Sequence, residues 1–482
     1  MRRPTPQQEA IYEAIRAGSS HLVIVALAGT GKTTTGIGGV QQRPPTERVG
    51  MVAFNGHIAV EMRHRLPPGI PACTLHSLGY AAVRRALRDV VLDEQKLTKL
   101  AKALAPDAYP SVRQAGEQLA RLVKYTLTDP SRESALDGLV EHYGVEVDYR
   151  EKQRIYRLAA NLVEQSAQQL ATIDFDDQVW LPTRLGLPVD QFDLLLVDEA
   201  QDLGRDRQAL ARAATRSGRL VPIGDINQAI YGFSGADCDA LPRLGAALGE
   251  THLGCQTLPL TVTWRCPASH VALAQAIVPD LEAAPGAIDG EVVTLSREEI
   301  ADEVKPGDLV ICRKNAPVVS LTYKLVLAGT PAVMRGREIG KGLLSLVARL
   351  KPDSISHLVE RVKDYREQEE RKLRRKDAPS SQHEALGDRC DCLSQLASQM
   401  TSLDDLERFI RQVFSDNHEP GAAVVLSSVH RGKGLEADRV YILDAPNLFL
   451  RRRDDKPWMV TQSRNIAYIA ATRSKRRMVL ED

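Results

Sequence analysis

Residues 22–33 read Leu-Val-Ile-Val-Ala-Leu-Ala-Gly-Thr-Gly-Lys-Thr. A short apolar run passes straight into a glycine-rich loop and a lysine. That is the pattern of a buried strand ending at the edge of an α/β sheet. Glycines in such a loop let backbone N–H groups face phosphate oxygens, and the N-terminus of a following helix adds its partial positive charge. The pattern predicts a phosphate cradle made of Ala28, Gly29, Thr30, Gly31, Lys32, Thr33 and Thr34. Lys32 would reach the β- and γ-phosphates, and the Thr33 hydroxyl would ligate Mg²⁺. The strict P-loop spacing fails at its first glycine, where Ala26 stands, while Gly29-Thr30-Gly31-Lys32-Thr33 is intact.

Working outward, similar apolar runs recur at 49–54, 194–197, 220–223, 308–312, 423–426 and 439–443, each followed by polar or glycine punctuation. Strands alternating with helices predict an α/β fold with parallel sheets. Two stretches break the alternation. In 81–170, Val112, Ala115, Leu119 and Leu122 keep helical spacing, which predicts a helical insertion. Residues 351–419 are also helix-like and highly charged. They contain the run Arg371-Lys372-Leu373-Arg374-Arg375-Lys376, read as a solvated helix face because acidic residues interleave just before it.

The second half of the nucleotide site is expected at 194–202, Leu-Leu-Leu-Val-Asp-Glu-Ala-Gln-Asp. Four apolar residues deliver two carboxylates to the carboxyl end of a buried strand, where ligands bind in open α/β sheets. Asp198 would hold Mg²⁺, and Glu199 would orient and deprotonate an attacking water. A surface acidic cluster capping a helix does not explain carboxylates placed directly after a buried run. The two stretches together point to nucleoside triphosphate hydrolysis rather than a small-molecule kinase.

Composition narrows the partners. The chain has 482 residues, with 63 Lys+Arg against 62 Asp+Glu and a formal charge of +1. This length predicts several domains. The balance excludes a uniformly basic nucleic-acid coat and an acidic solvating tail, but not a local basic channel. Charge is indeed uneven: residues 421–482 hold twelve Lys/Arg against seven Asp/Glu. No stretch approaches the length of a membrane span, and the start, MRRPTPQQEA, shows no secretory h-region. Seven scattered cysteines form no CxxC pair. Cys390-Asp391-Cys392 is read as two ordinary thiols, not a zinc site. A reducing, cytoplasmic setting is expected.

At this point the sequence resembles the UvrD/Rep-like helicases of superfamily 1, through many motifs in the family's order from residue 5 to residue 476. Thr5-Pro6-Gln7-Gln8 resembles the adenine-reading glutamine motif, with Gln8 as the reader. Phe54-Asn55-Gly56-His57 and Thr74-Leu75-His76-Ser77 are similar to DNA-contacting motifs. Asp174-Phe175-Asp176-Asp177 matches a segment often found ahead of the carboxylate strand. Residues 224–236, from Gly224-Asp225-Ile226-Asn227-Gln228 through Tyr231-Gly232-Phe233, form a long match. The resemblance implies that Gln228 senses the γ-phosphate and that Tyr231 and Phe233 stack on bases. Phe233 stands where relatives often have Trp, and Ser234 where they often have Arg; a smaller ring should still stack. Thr263-Trp264-Arg265 implies adenine stacking by Trp264 and a γ-phosphate contact by Arg265. The run Ser428 to Glu436 implies a DNA contact at His430 and a ribose contact at Glu436. Ala467 to Lys475 implies an arginine finger at Arg473.

The resemblance implies two RecA-like parallel-sheet P-loop domains, each with a mainly helical insertion. The first would take 1–80 and 171–265, with an insertion at 81–170. The second would take 266–350 and 420–482, with a short insertion at 351–419. ATP and Mg²⁺ are the implied cofactors. Single-stranded DNA and its junctions with duplex are the implied substrates, alongside replication or repair proteins. A functional monomer is expected in the cytoplasm of a bacterial or phage-infected cell. Closure of a cleft on ATP would advance DNA held by Phe54, Asn55, His76, Tyr231, Phe233 and His430. The motif forms resemble the 3′→5′ branch. The compact second insertion suggests a small, phage-type helicase with less autoinhibition. A translocase that displaces proteins with little unwinding is the alternative. A helicase–nuclease is disfavoured by the nine residues after Arg473, and a non-hydrolysing ATP-gated binder by the full set of catalytic residues.

Overall fold

A computed structural model describes residues 3–44, 46–53, 55–230, 239–375, 380–414, 421–448 and 457–482. The chain divides into two compact units, Met1–Thr261 and Val262–Asp482. The division falls slightly before the expected boundary after Arg265, so Trp264 and Arg265 belong with the second unit.

The sheet of the first unit contains β1 (His21–Ala26), β2 (Val49–Val52), β3 (Ala72–Cys73), β4 (Leu194–Val197), β5 (Arg219–Gly224) and β6 (Cys255–Leu260). Their order is β3-β2-β4-β5-β1-β6, with every neighbouring pair parallel. The unbroken apolar reading of β4 follows from burial on both faces. Leu194 and Leu196 pack with Ile11, Ile15 and Ile24 on one side. Leu195 and Val197 pack with Leu75, Leu78 and Leu210 on the other.

Between β3 and β4 lie helices with a core of their own. In the helix Pro110–Thr126, Val112, Ala115, Leu119 and Leu122 are buried against Ile155, Leu158, Ala159 and Leu162 of the helix Lys152–Gln168. A two-residue parallel pairing of Val91–Leu92 with Thr172–Ile173 sits at the base of this insertion.

The second unit repeats the plan with β7 (Glu291–Leu295), β8 (Leu309–Cys312), β9 (Ala332–Met334), β10 (Val424–Ser428), β11 (Ala437–Leu443) and β12 (Ser474–Glu481). The order is β7-β12-β11-β8-β10-β9, again all parallel. The expected α/β class with two parallel sheets is therefore what the chain adopts. Helices Ile355–Arg375, Ser380–Ala397 and Leu403–Val413 lie between β9 and β10. Within the basic run, Leu373 is buried while Arg371, Lys372 and Arg374 are exposed, and Lys372 meets Glu369 at 2.7 Å. Cys390 and Cys392 are both buried in this unit's core. Among the described residues no helix is long and apolar enough to cross a membrane.

Candidate active site

Strands β4, β5 and β1 are neighbours, so the loops leaving their carboxyl ends lie side by side. The loop after β1 turns through Gly29 and Gly31, at φ 71° and 84°, backbone that side-chain-bearing residues adopt only at a cost. Thr30 is buried and its hydroxyl donates to the Leu27 carbonyl at 2.8 Å, closing the loop. The helix Lys32–Val40 starts at Gly31 with no side-chain cap, so its first N–H groups remain available to an anion.

The loop after β4 carries the two carboxylates. The Thr33 hydroxyl donates to Asp198 Oδ2 at 2.7 Å. Burial pushes the Asp198 carboxyl up to about 6 and the neighbouring Glu199 adds to this; the Thr33 hydrogen bond and Lys32 pull only partly the other way. A buried carboxylate short of positive charge beside a hydroxyl is a hard-oxygen donor pair that suits Mg²⁺. Glu199 sits in left-handed backbone, φ 54°, with its N–H donating to Asp198 Oδ1 at 2.9 Å. Its carboxylate accepts from the Gln201 amide.

Two side chains given no role by the sequence brace this loop against the one after β5. Gln201 Oε1 accepts from the Asp225 N–H at 3.0 Å. Asp225 Oδ2 accepts from Gln228 Nε2 at 2.7 Å. The signal was present, because Gln201 and Asp225 lie inside the two quoted motifs. Lys32, Thr33, Asp198, Glu199 and Gln228 thus share one edge of one sheet.

Gln8 is held in a capping box with Thr5, and its Nε2 donates to Thr35 Oγ1 at 3.0 Å, which fixes it beside the phosphate loop. Its neighbour Gln7 makes two hydrogen bonds to Thr261, the last residue of the unit. Thr34 accepts from Arg65 at 3.0 Å. Among the expected DNA contacts, Asn55 is exposed and caps the helix Gly56–Arg65 through Ile58 N–H at 2.9 Å. His76 lines a cavity of about 340 Å³ together with Asp198 and Asp202. Burial, then Arg207, pushes the His76 imidazole down to about 4. Phe54, Tyr231 and Phe233 lie outside the described residues.

In the second unit Trp264 is 43% exposed, unlike a core tryptophan. Arg265 pairs with Glu436 at 2.5 Å, and Lys475 reaches the other Glu436 oxygen at 2.7 Å. Burial raises the Glu436 carboxyl, but these two cations outweigh it and hold it below its ordinary range. Arg473 is buried, with Nε donating to the Ile469 carbonyl at 2.9 Å and Nη2 to Thr472 Oγ1 at 3.2 Å. His430 lies within 3.2 Å of the Gln462 amide, and burial followed by Arg313 pushes it down to about 4.

Comparison with known proteins agrees with both halves of this arrangement. The UvrD/REP helicase N-terminal domain matches residues 5–246, and the UvrD-like helicase C-terminal domain matches residues 330–481. The chain is 24% identical over 318 residues to DNA helicase II of Salmonella typhimurium, covering 59% of this chain and 42% of that protein. It is 24% identical over 294 residues to DNA helicase II of Escherichia coli, covering 55% and 39%. It is 23% identical over 534 residues to F-box DNA helicase protein 1 of Schizosaccharomyces pombe, covering 99% and 57%. The matched segments therefore span less than two thirds of each of these relatives. With one family domain matching half of the chain and its companion matching most of the remainder, the chain belongs to the UvrD/Rep-like helicases.

Proposed function

We propose that this chain is an ATP-dependent DNA helicase that moves 3′→5′ on single-stranded DNA and couples ATP hydrolysis to the approach of its two units. The observation that carries this reading is the 2.7 Å hydrogen bond between Thr33 and Asp198, with Glu199 adjoining and Gln228 braced through Asp225. Mg²⁺, when bound, would be held by Thr33 and Asp198 and would neutralise phosphate charge. Lys32 and the backbone of residues 28–34 bind the phosphates. Glu199 takes the proton of the attacking water, and Gln228 reports the γ-phosphate to the DNA-contacting segment that follows it. Gln8 and Trp264 hold the adenine, and Glu436 the ribose. Arg265 and Arg473 stabilise the charge that develops on the phosphoryl group. Such arginines contribute roughly 10³–10⁵ in rate in related phosphoryl-transfer enzymes.

DNA would be held by Phe54, Asn55, His76, Tyr231, Phe233 and His430. Stacking on aromatic rings is worth about 1–3 kcal/mol per base and tolerates any sequence. We place this activity in the cytoplasm of a bacterial or phage-infected cell, carried out by a monomer working at single-strand/duplex junctions beside replication or repair proteins.

The test is ATPase and strand separation on matched duplexes carrying only a 3′ or only a 5′ tail, in DNA and in RNA. DNA-stimulated ATPase that Lys32→Ala abolishes, with unwinding from the 3′ tail, is expected. Preference for the 5′ tail overturns the polarity. Stimulated ATPase that strips bound protein without separating strands marks the chain as a translocase.

A further inference from the structure

The loop after β4 is held from a direction that the sequence motifs do not reveal. Tyr125 is the penultimate residue of the inserted helix Pro110–Thr126, whose register is fixed by buried Leu119, Leu122 and Val123. Its hydroxyl reaches the Asp202 carbonyl at 3.4 Å. Its ring lies under the Arg207 guanidinium, 4.8 Å from the ring centroid. Its edge packs so closely on the Gly204 Cα that a Cβ there has no room. Asp202 and Gly204 end the short turn that begins at Glu199, and Asp202 N–H donates to the Glu199 carbonyl at 3.0 Å. A cavity of about 340 Å³ adjoins the same turn, and Tyr125 and Arg207 line it together with His76, Asp198, Asp202 and Leu203. The turn therefore borders open space beside the ring that touches it. Where packing leaves a void, position is set by the contacts that remain.

We infer that Tyr125 is a positioning residue for hydrolysis: its ring sets the height of the turn carrying Asp198 and Glu199, and so transmits the placement of the inserted helices to the attacking water. This rests on the proposed ATPase function. The chain of contacts is continuous, from the Tyr125 ring to Asp202 and Gly204, through the turn to Glu199, and through Gln201 to Asp225 and Gln228. A displacement of about 1 Å at a general base is enough to cost roughly 10²-fold in rate while leaving ground-state binding alone. The Arg207 guanidinium over the same ring, 4.8 Å from its centroid, adds a cation–π contact that helps hold it in place.

The experiment compares wild type, Tyr125→Phe, Tyr125→Ala and Gly204→Ala in the full chain. Single-strand-stimulated kcat and KM for ATP are measured beside the Kd for a fluorescent non-hydrolysable ATP analogue, which also counts folded sites. Tyr125→Ala is expected to lower kcat per folded site about tenfold while KM and Kd stay within about twofold, the signature of an interaction lost only on the way to the transition state. Tyr125→Phe keeps the ring and is expected to behave as wild type. Gly204→Ala pushes the turn from the other side and is expected to reproduce the loss of kcat; it replaces Tyr125→Ala if that variant fails to fold. Wild-type kcat in folded Tyr125→Ala, or a Tyr125→Phe variant as slow as Tyr125→Ala, overturns the assignment. Wild type that binds the analogue but never hydrolyses ATP overturns the ATPase reading itself, and this one with it.

Discussion

Asp177 and Asp198 are two buried carboxylates of the same unit, and they are treated in opposite ways. Asp177 lies at the junction of the inserted helices with the sheet domain. It accepts from Lys96 Nζ at 2.6 Å, Lys124 Nζ at 2.7 Å and Ser166 Oγ at 2.9 Å. Burial raises its carboxyl, yet Lys124 and Lys96 outweigh that and hold it below its ordinary range. Asp198 has the Thr33 hydroxyl and one backbone N–H, and burial with Glu199 beside it leaves the carboxyl up near 6. The first acid brings its counter-charge with it and serves the fold. The second is left short of positive charge, as the proposed Mg²⁺ ligand would be before its cation binds. Burial alone does not separate a structural acid from a functional one; the resident counter-charge does.

The strongest way to break this contrast is to remove charge at the functional end. Glu199→Gln is expected to lower DNA-stimulated kcat by roughly 10²–10⁴-fold, the usual worth of a general base, with the thermal unfolding midpoint little changed. Steady-state ATPase and calorimetry check this, and near-normal turnover would reassign the water-activating role. At the structural end the expectation inverts. Asp177→Asn leaves buried Lys96 without the carboxylate it pairs with and Lys124 with only Asp174, 3.6 Å away, which costs about 3–5 kcal/mol of stability. ATPase per folded molecule should hold. Replacing the charged side chains together, with Lys96→Met, Lys124→Met, Asp177→Leu and Asp174→Asn, the last keeping the cap on the residue 177 N–H, should recover much of that loss in urea unfolding.

Asp198→Asn sharpens the contrast further, because it should cost activity and gain stability. The folded carboxyl titrates near 6, above the ordinary 3.8. A raised carboxyl favours the fold below its ordinary value, and that contribution is lost as pH rises through the folded one. At pH 7.5 the native state therefore carries a penalty of up to about 3 kcal/mol, at 1.36 kcal/mol per unit. Asparagine cannot ionise and avoids it. The metal-free variant should melt higher than wild type at pH 7.5, and the difference should shrink toward pH 5. Adding Mg²⁺ and nucleotide should favour wild type instead, since ligand binding stabilises only the protein that binds it. Equal melting points at pH 7.5 without metal would mean that Asp198 is already compensated.

How much of this was legible in the sequence depends on the physical origin of each feature. Strands β1, β2, β4, β5, β8, β10 and β11 announced themselves because burial on both faces demands short unbroken apolar runs. Strand β12 did not: Arg476 and Arg477 stand in its middle, paired to Asp438 and to Glu291 and Glu303, and mask an interior strand as a charged tail. Strand β6 is an edge strand with Gln256 and Thr257 exposed, so it carried too few apolar residues to stand out. In the site, Lys32 and Asp198 were legible because the chain presents them at fixed offsets from strands, and Gln228 was legible only through the resemblance of residues 224–236 to the family's motif. Gln201 and Asp225 sat in plain view, but their role is to hold each other's loops, a relation between two strand ends that no local spacing encodes. Tyr125 was invisible for the same reason at longer range, since a helix surface residue gives no sign of which loop it will meet.

The smallest expected effect concerns the imidazoles on the DNA side, and it is a predicted constancy. Burial is the first cause that pushes both His76 and His430 down to about 4, with Arg207 and Arg313 adding to it. A depressed histidine stays neutral at every pH well above its folded value, so in the proposed DNA contacts both rings would act as hydrogen-bonding or stacking groups rather than as cations. An exposed histidine near 6.5 would instead gain charge between pH 8 and pH 6 and add a phosphate contact. Each such cation would steepen the dependence of log K on log salt by about 0.7 for a single strand. Oligonucleotide binding titrated against salt at pH 8 and again at pH 6 should give one slope. The effect that raises Asp198 is the one that lowers these rings, because in both cases desolvation disfavours the charged form. A slope that steepens by about 0.7 or more on acidification would show that at least one imidazole becomes charged on the DNA, and that its burial is relieved when the strand binds.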